Sequence, residues 1–116
     1  MPRKTNPNFM AGVPELMILR LLQQRPMYGY EIVQAIRTGT NDVVSLGEGA
    51  VYTVLYALEH AGALKSRRKV VASRNRYYYS LTARGLRRYQ ELAKTWTTLN
   101  GAIQSVMEGR PHATSI

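Results

Sequence analysis

The last third of the chain carries an apolar repeat that a small domain has no room to bury. Large apolar residues step by three and four positions over almost three heptads: Tyr89, Leu92, Trp96, Leu99, Ile103 and Val106. This spacing predicts one helix with an apolar seam of the coiled-coil type. Thr82 can cap the helix, which runs to about Glu108 and is about 40 Å long. A chain of 116 residues forms one domain with a shorter core, so we predict that the seam is a dimer interface.

Three shorter helices are predicted before this one. The first covers residues 14–25, is apolar on several sides and is stopped by Pro26, and the second covers residues 28–38, with Gly39 as its terminator. The third begins at a predicted capping box, in which the Ser45 hydroxyl accepts from the backbone of residue 48 and Glu48 reaches back. An apolar stripe then follows, and Gly62 ends the helix; the stripe is Val51, Val54, Leu55 and Leu58.

After Gly62 the apolar period changes from that of a helix to that of a strand. Three apolar residues alternate with more polar ones between positions 76 and 81: Tyr77, Tyr79 and Leu81. Residues 64–71 are a weaker strand candidate, and residues 72–75 connect the two. These signals predict a β-hairpin with a basic tip.

The positive charge of the chain lies in and after this hairpin. The formal net charge is +9, from 16 Lys and Arg against 7 Asp and Glu. Between Lys65 and Arg88 there are nine basic residues and no acidic one, whereas the rest of the chain is neutral. Concentrated positive charge attracts polyanions such as nucleic acid or an anionic membrane, although it can also serve solubility alone.

The order helix, helix, helix, strand, strand, long helix is that of a winged helix-turn-helix. We therefore predict a mainly α fold with a small β-hairpin, followed by a long C-terminal dimerisation helix. Residues 1–81 would be the DNA-binding domain, with a flexible arm over residues 1–8; residues 82–108 would dimerise, and residues 109–116 would be a loose tail. The N-terminus of the third helix would face the major groove, where base edges can be read, and the basic hairpin would contact phosphates.

The candidate DNA contacts follow from that arrangement. On the third helix they are Glu48, Tyr52, Thr53 and Tyr56, and in the hairpin they are Arg67, Arg68, Lys69, Arg74 and Arg76. Two alternatives stay open at this point. The tyrosines of the third helix can instead pack against the hairpin, and Glu48 is first of all a helix cap.

Other classes of function find little support in the residues. Cysteine is absent, the two histidines are distant, and there is no Gly-rich phosphate loop or pair of acids in one motif. We therefore expect no catalytic residues, no metal and no cofactor. No stretch is apolar enough to cross a membrane, and Arg3 and Lys4 do not suit a signal peptide, so a cytoplasmic protein is expected.

Three ordered motifs resemble the PadR family of transcriptional regulators. They are Tyr28-Gly29-Tyr30-Glu31-Ile32, then Val51-Tyr52-Thr53-Val54-Leu55-Tyr56-Ala57-Leu58-Glu59 with Gly62, and then Arg76-Tyr77-Tyr78-Tyr79-Ser80-Leu81-Thr82 with Gly85. The short chain with one C-terminal helix is similar to the small subgroup of that family. The resemblance implies a homodimer that represses genes from a near-palindromic operator, with DNA-facing residues at Tyr52, Tyr56 and Arg76. Tyr77 departs from the family pattern, in which a basic residue is common at that position.

The resemblance also implies that a small molecule often releases such a repressor from DNA. A planar aromatic or phenolic effector would bind between the subunits near Trp96, the single tryptophan, with Ala93 and Leu99 beside it. The alternative is that Trp96 simply packs the dimer, which leaves a repressor without a ligand. A basic RNA-binding module also remains open, because Tyr77 and Tyr79 share one strand face and could stack bases.

Overall fold

A computed structural model describes residues 12–109 of the protein as four helices and one antiparallel pair of strands. In chain order they are α1 (Val13–Gln24), α2 (Gly29–Gly39), α3 (Glu48–His60), β1 (Leu64–Val71), β2 (Arg74–Leu81) and α4 (Ala83–Met107). This is the predicted order, and the mainly α fold with a hairpin is confirmed. Residues 1–11 and 110–116 lie outside the described residues, and they contain the predicted arm and nearly all of the predicted tail.

The core lies where the first three helices meet the base of the hairpin. Met27 extends the sheet by pairing with Tyr79, through backbone hydrogen bonds of 3.2 Å and 2.8 Å. This pairing brings the start of α2 against β2. The buried hydrophobic residues come from α1, α2, α3, the hairpin and the segments between them, whereas α4 contributes the partly buried Tyr89 and Leu92. The buried residues are Ile18, Leu19, Leu22, Met27, Ile32, Val33, Ile36, Val51, Leu55, Leu58, Ala63, Leu64 and Tyr79.

One predicted helix cap is wrong, and α2 ends at Gly39 as predicted but without a left-handed glycine. The helix α3 begins at Glu48 after an extended Gly47, and Gly47 provides no side-chain cap, so the capping box of Ser45 and Glu48 does not form. The chain stays extended there because Val44 and Leu46, two positions apart, both pack against the core. At the end of α2, Asn41 and Asp42 rather than Gly39 take the left-handed conformation, with φ of 51° and 64°.

The hairpin turn is shorter than predicted. Ala72 and Ser73 form a two-residue turn with φ of 51° and 64°, so Arg74 and Asn75 belong to β2 and pair with Val71 and Val70. Positive φ at both central residues is typical of a type I′ turn, which usually contains Asn or Gly. With neither residue present, the sequence contained no signal for so tight a connection.

The last helix is joined to the core at its first turns. The Thr82 hydroxyl caps α4 as predicted, accepting from the Gly85 N–H at 3.1 Å and donating to the Gly62 carbonyl at 2.7 Å. Arg88 forms an ion pair with Glu15 of α1. This hydrogen bond to Glu15 raises the pKa of the Arg88 guanidinium. These contacts fix the direction in which α4 leaves the core.

Candidate nucleic-acid interface

Helix α3 presents three of its four predicted DNA-contacting residues to solvent. Glu48, Thr53 and Tyr56 are exposed, and the Thr53 hydroxyl donates to the Gly49 carbonyl at 2.9 Å. Tyr52 is half-buried, because its ring lies directly over Gly29 of α2. Any side chain at position 29 would overlap that ring, so a glycine there lets α2 and α3 approach closely.

A group of tyrosines fills the angle between α3 and the hairpin. The rings of Tyr52 and Tyr56 are 5.7 Å apart, and Tyr79 of β2 is buried. Burial raises the pKa of Tyr52, and it raises the pKa of Tyr79 to about 12, so both hydroxyls stay neutral at physiological pH. Tyr56 and Tyr77 remain about half exposed, at 58% and 53%. Some of the tyrosines are therefore packed, while Tyr56 and Tyr77 leave an exposed aromatic surface beside α3.

The strand register sorts the basic residues of the hairpin onto two faces. Residues directly opposite each other in an antiparallel pair share a face. Lys69 lies opposite Arg76, and Arg67 lies opposite Tyr78. The outer face, away from the core, therefore carries all but one of the basic residues between positions 65 and 76: Lys65, Arg67, Lys69, Arg74 and Arg76. Arg68 lies on the opposite face, on the side of Tyr77 and Tyr79, so it is separated from the other predicted wing contacts.

One residue of the candidate interface, Tyr28, is not among the predicted DNA contacts. Tyr28 precedes α2, and its ring lies against the hairpin, with the Arg76 guanidinium carbon 4.3 Å from the ring centroid. A tyrosine before a helix has many structural roles, so its position alone does not predict this contact. Arg76 is far from Tyr28 in the sequence, and the contact depends on the pairing of Met27 with Tyr79 of β2.

The apolar seam of α4 divides into two parts. Tyr89 and Leu92 are half-buried and pack against the core of their own chain. The other four residues are exposed: Trp96, Leu99, Ile103 and Val106, at 48%, 57%, 52% and 81%. The exposed part lies beyond the last contact of α4 with the core, and it follows one helical face.

A groove of about 490 Å³ lies between α4 and the first two helices. Trp96 and Ala93 line one wall, Met17 lies on α1, and Ile36 lies on α2. Among residues 12–109, Arg20 is the single charged residue in its lining. Leu99, the third predicted effector residue, is not part of this lining, and the groove lies within one chain, whereas the predicted effector site lies between two subunits. The groove is within the size range of small-molecule sites, and its walls are mostly apolar.

Within residues 12–109 no helix is both long enough and apolar enough to cross a membrane.

The sequence profile of the Transcriptional regulator PadR-like family matches residues 18–91. A protein from Lysinibacillus sphaericus, described as uncharacterized, is 32% identical over 103 residues, which cover 88% of this chain and 94% of that protein. The family profile therefore extends from within α1 to the first turns of α4, and it includes the whole candidate interface.

Solved structures of transcriptional regulators share the fold. A transcriptional regulator from Clostridium thermocellum superposes with a TM-score of 0.78 at 28% identity, covering 84% of this chain and 96% of the other. A PadR family transcriptional regulator from Eggerthella lenta superposes with a TM-score of 0.76 at 26% identity, covering 87% of each chain. The long final helix therefore occurs in a fold that is shared with regulators of transcription.

Proposed function

The chain belongs to the PadR-like family of DNA-binding transcriptional regulators, and on that premise we propose that it acts as a homodimeric repressor that a small molecule releases from its operator. The observation that carries the proposal is the exposed apolar seam of α4. A contiguous apolar stripe of this length is typical of a protein interface, and a second copy of the same helix has the matching heptad pattern.

Dimerisation would set the distance between the two copies of α3, the helix proposed to enter the major groove. Each copy supplies one α3 and one basic hairpin. Thr82, which follows the hairpin, caps α4 and donates to the Gly62 carbonyl after α3, while the pair of Arg88 with Glu15 holds α4 against α1. A two-fold dimer of this kind reads a near-palindromic site whose half-sites lie about one helical turn, or a multiple of it, apart. Binding at a promoter would then block transcription.

The direct test starts from random duplexes, because the operator sequence is unknown. Selection for binding should yield a near-palindrome, and the selected duplex upstream of a reporter gene should lower expression when the protein is present. Single-stranded RNA is the matched competitor in the mobility-shift assay. Tighter binding to RNA than to the selected duplex would favour an RNA-binding module and would contradict the proposal.

The hairpin predicts a test of how the protein contacts the phosphate backbone. Arg74 and Arg76 share the outer face near the turn, so Arg74→Ala with Arg76→Ala should weaken binding to all duplexes alike. Each lost phosphate contact should lower the slope of log affinity against log salt by about one unit, or about two for the pair. Thr53→Ala, on the exposed side of α3, should instead change sequence preference at similar salt dependence.

Lys94→Ala is the control, because it removes a positive charge from an exposed position of α4 away from the hairpin. Its salt slope should match that of the unaltered protein. A double hairpin variant with an unchanged slope would show that these arginines do not contact phosphates.

The groove beside Trp96 supports release by a planar, largely apolar molecule. Its walls come from α4 and also from α2, the first helix of the helix-turn-helix, so a ligand there would contact both the dimerisation helix and the helix-turn-helix. Wedging them apart would change the distance between the two copies of α3. This works only if the ligand binds the free form more tightly than the DNA-bound form.

Calorimetry with a panel of planar aromatic and phenolic compounds tests this part of the proposal. A binding compound should quench Trp96 fluorescence and reduce operator affinity, and Ala93→Leu, which narrows the groove, should weaken the compound at least about tenfold. Lys94→Ala should leave ligand binding unchanged. If no compound binds, or if one binds without altering operator affinity, the protein is a repressor without this switch.

A further inference from the structure

Two aromatic rings and two cations form a cluster on the outer face of the hairpin. The Arg76 guanidinium carbon lies 4.3 Å from the centre of the Tyr28 ring, and the Tyr28 ring meets the Tyr78 ring edge-on at 5.3 Å. Lys69, which lies opposite Arg76 in the strand pair, has its ammonium 5.4 Å from the centre of the Tyr78 ring. Tyr28 belongs to the helix-turn-helix, whereas the other three residues belong to the hairpin.

Arg76 differs from the other basic residues of the hairpin in its surroundings. It is half-buried, and its Nε atom, which is shielded from solvent, has no hydrogen-bond partner among the described residues. Within the same residues it forms no ion pair, whereas Glu31 of the first turn of α2 pairs with Arg25 and accepts from the Tyr28 N–H. The contact with Tyr28 is therefore the main interaction that orients its guanidinium.

Stacking leaves part of a guanidinium available for a ligand. The ring meets the guanidinium from one side, and the N–H bonds directed away from the ring can donate to a phosphate oxygen. A side chain that is already oriented loses less conformational entropy when it binds. The position of Tyr28 is itself defined by the paired backbone of Met27 and Tyr79.

We propose that Tyr28 is a positioning residue for DNA binding, which orients the Arg76 guanidinium toward one backbone phosphate beside the start of α2. Lys65, Arg67 and Arg74 on the same face have no cation–ring contact among the described residues, so they contribute charge without such orientation. Arg76 is then the wing contact that fixes the register between the hairpin and the helix-turn-helix on the duplex. The inference rests on the proposed binding of DNA, and it does not require that a ligand release the protein from DNA.

A double-mutant cycle with Tyr28→Leu and Arg76→Ala tests the proposal on the selected duplex. Tyr28→Leu should weaken DNA binding about three- to tenfold when residue 76 is arginine, and hardly at all when residue 76 is alanine. Tyr28→Phe keeps the ring and should stay within about twofold of the unaltered protein. Tyr30→Leu, at an exposed tyrosine of the same helical turn, is the matched control, and its effect should be independent of residue 76.

Two further measurements separate positioning from a general loss of structure. The Arg76 Nε–H resonance should carry a ring-current shift in the unaltered protein and in Tyr28→Phe, and lose it in Tyr28→Leu. Arg76→Lys keeps the charge but not the planar group over the ring, and should weaken binding about three- to tenfold. This variant tests the same contact if the leucine variant fails to fold. Additive effects in the cycle, or full affinity for Arg76→Lys, would overturn the proposal, whereas a protein that binds no duplex at all would instead refute its assigned function.

Discussion

Replacing Leu99 and Ile103 together by aspartate should convert the proposed dimer to a folded monomer. Both side chains are more than half exposed in one chain and touch no part of its core, so the fold should survive the change. In a dimer, each buried carboxylate without a partner costs on the order of several kcal/mol. The dissociation constant should therefore rise at least about a hundredfold, and operator affinity should fall with it.

Mass measurement by light scattering, with circular dichroism to verify folding, decides this prediction. Thr98→Asp with Gln104→Asp is the control, because it adds the same charge at exposed positions of α4 outside the seam. The control protein should remain dimeric and bind DNA. A seam variant that stays dimeric at micromolar concentration would place the interface elsewhere and remove the main support for the proposed assembly.

Gly85→Ala should be the most destabilising single methyl addition in α4. A Cβ at position 85 would lie far inside contact distance of the Ala63 carbonyl oxygen and against the Leu81 side chain. The Ala63 carbonyl cannot move freely, since it accepts the Thr82 N–H at 3.1 Å. We expect a loss of about 3 kcal/mol or more in the free energy of unfolding, and a fall of about 10 °C or more in the melting temperature.

The matched control lies further along the same helix. No atom of the described part of the chain lies within 4 Å of a Cβ added to Gly101, so Gly101→Ala should raise stability by about 0.5–1 kcal/mol through helix propensity. Thermal unfolding at equal protein concentration compares the two, because a dimer has a concentration-dependent melting temperature. Equal stability of Gly85→Ala and the unaltered protein would mean that α4 does not rest on Ala63.

Local patterns in the sequence were sufficient for the order and type of every element. The apolar stripe of α3 predicted a helix with one buried side, and Val51, Leu55 and Leu58 are indeed buried. The Thr82 cap was predictable for the same reason, since a threonine side chain bonds to the backbone three residues on. Such signals act over one or two turns, and the residues that create them are neighbours in the chain.

The errors occurred where a distant part of the chain decides the local structure. Ser45 and Glu48 have the spacing of a capping box, but the core contacts of Val44 and Leu46 keep the chain extended before α3. Ala72 and Ser73 form a tight turn because the register of two strands requires it. In each case, burial and strand pairing outweighed the local preference.

The sequence by itself determined the fold class, the surplus of positive charge after Gly62 and the existence of an apolar seam, because these depend on composition and spacing along one element. Tertiary structure alone decided which basic residues share a face of the hairpin, since a single residue of register moves every side chain to the other face. It also decided that Tyr89 and Leu92 pack within their own chain, and that Tyr28 meets Arg76. Those facts depend on how separate elements approach each other, and no pattern within one element contains that information.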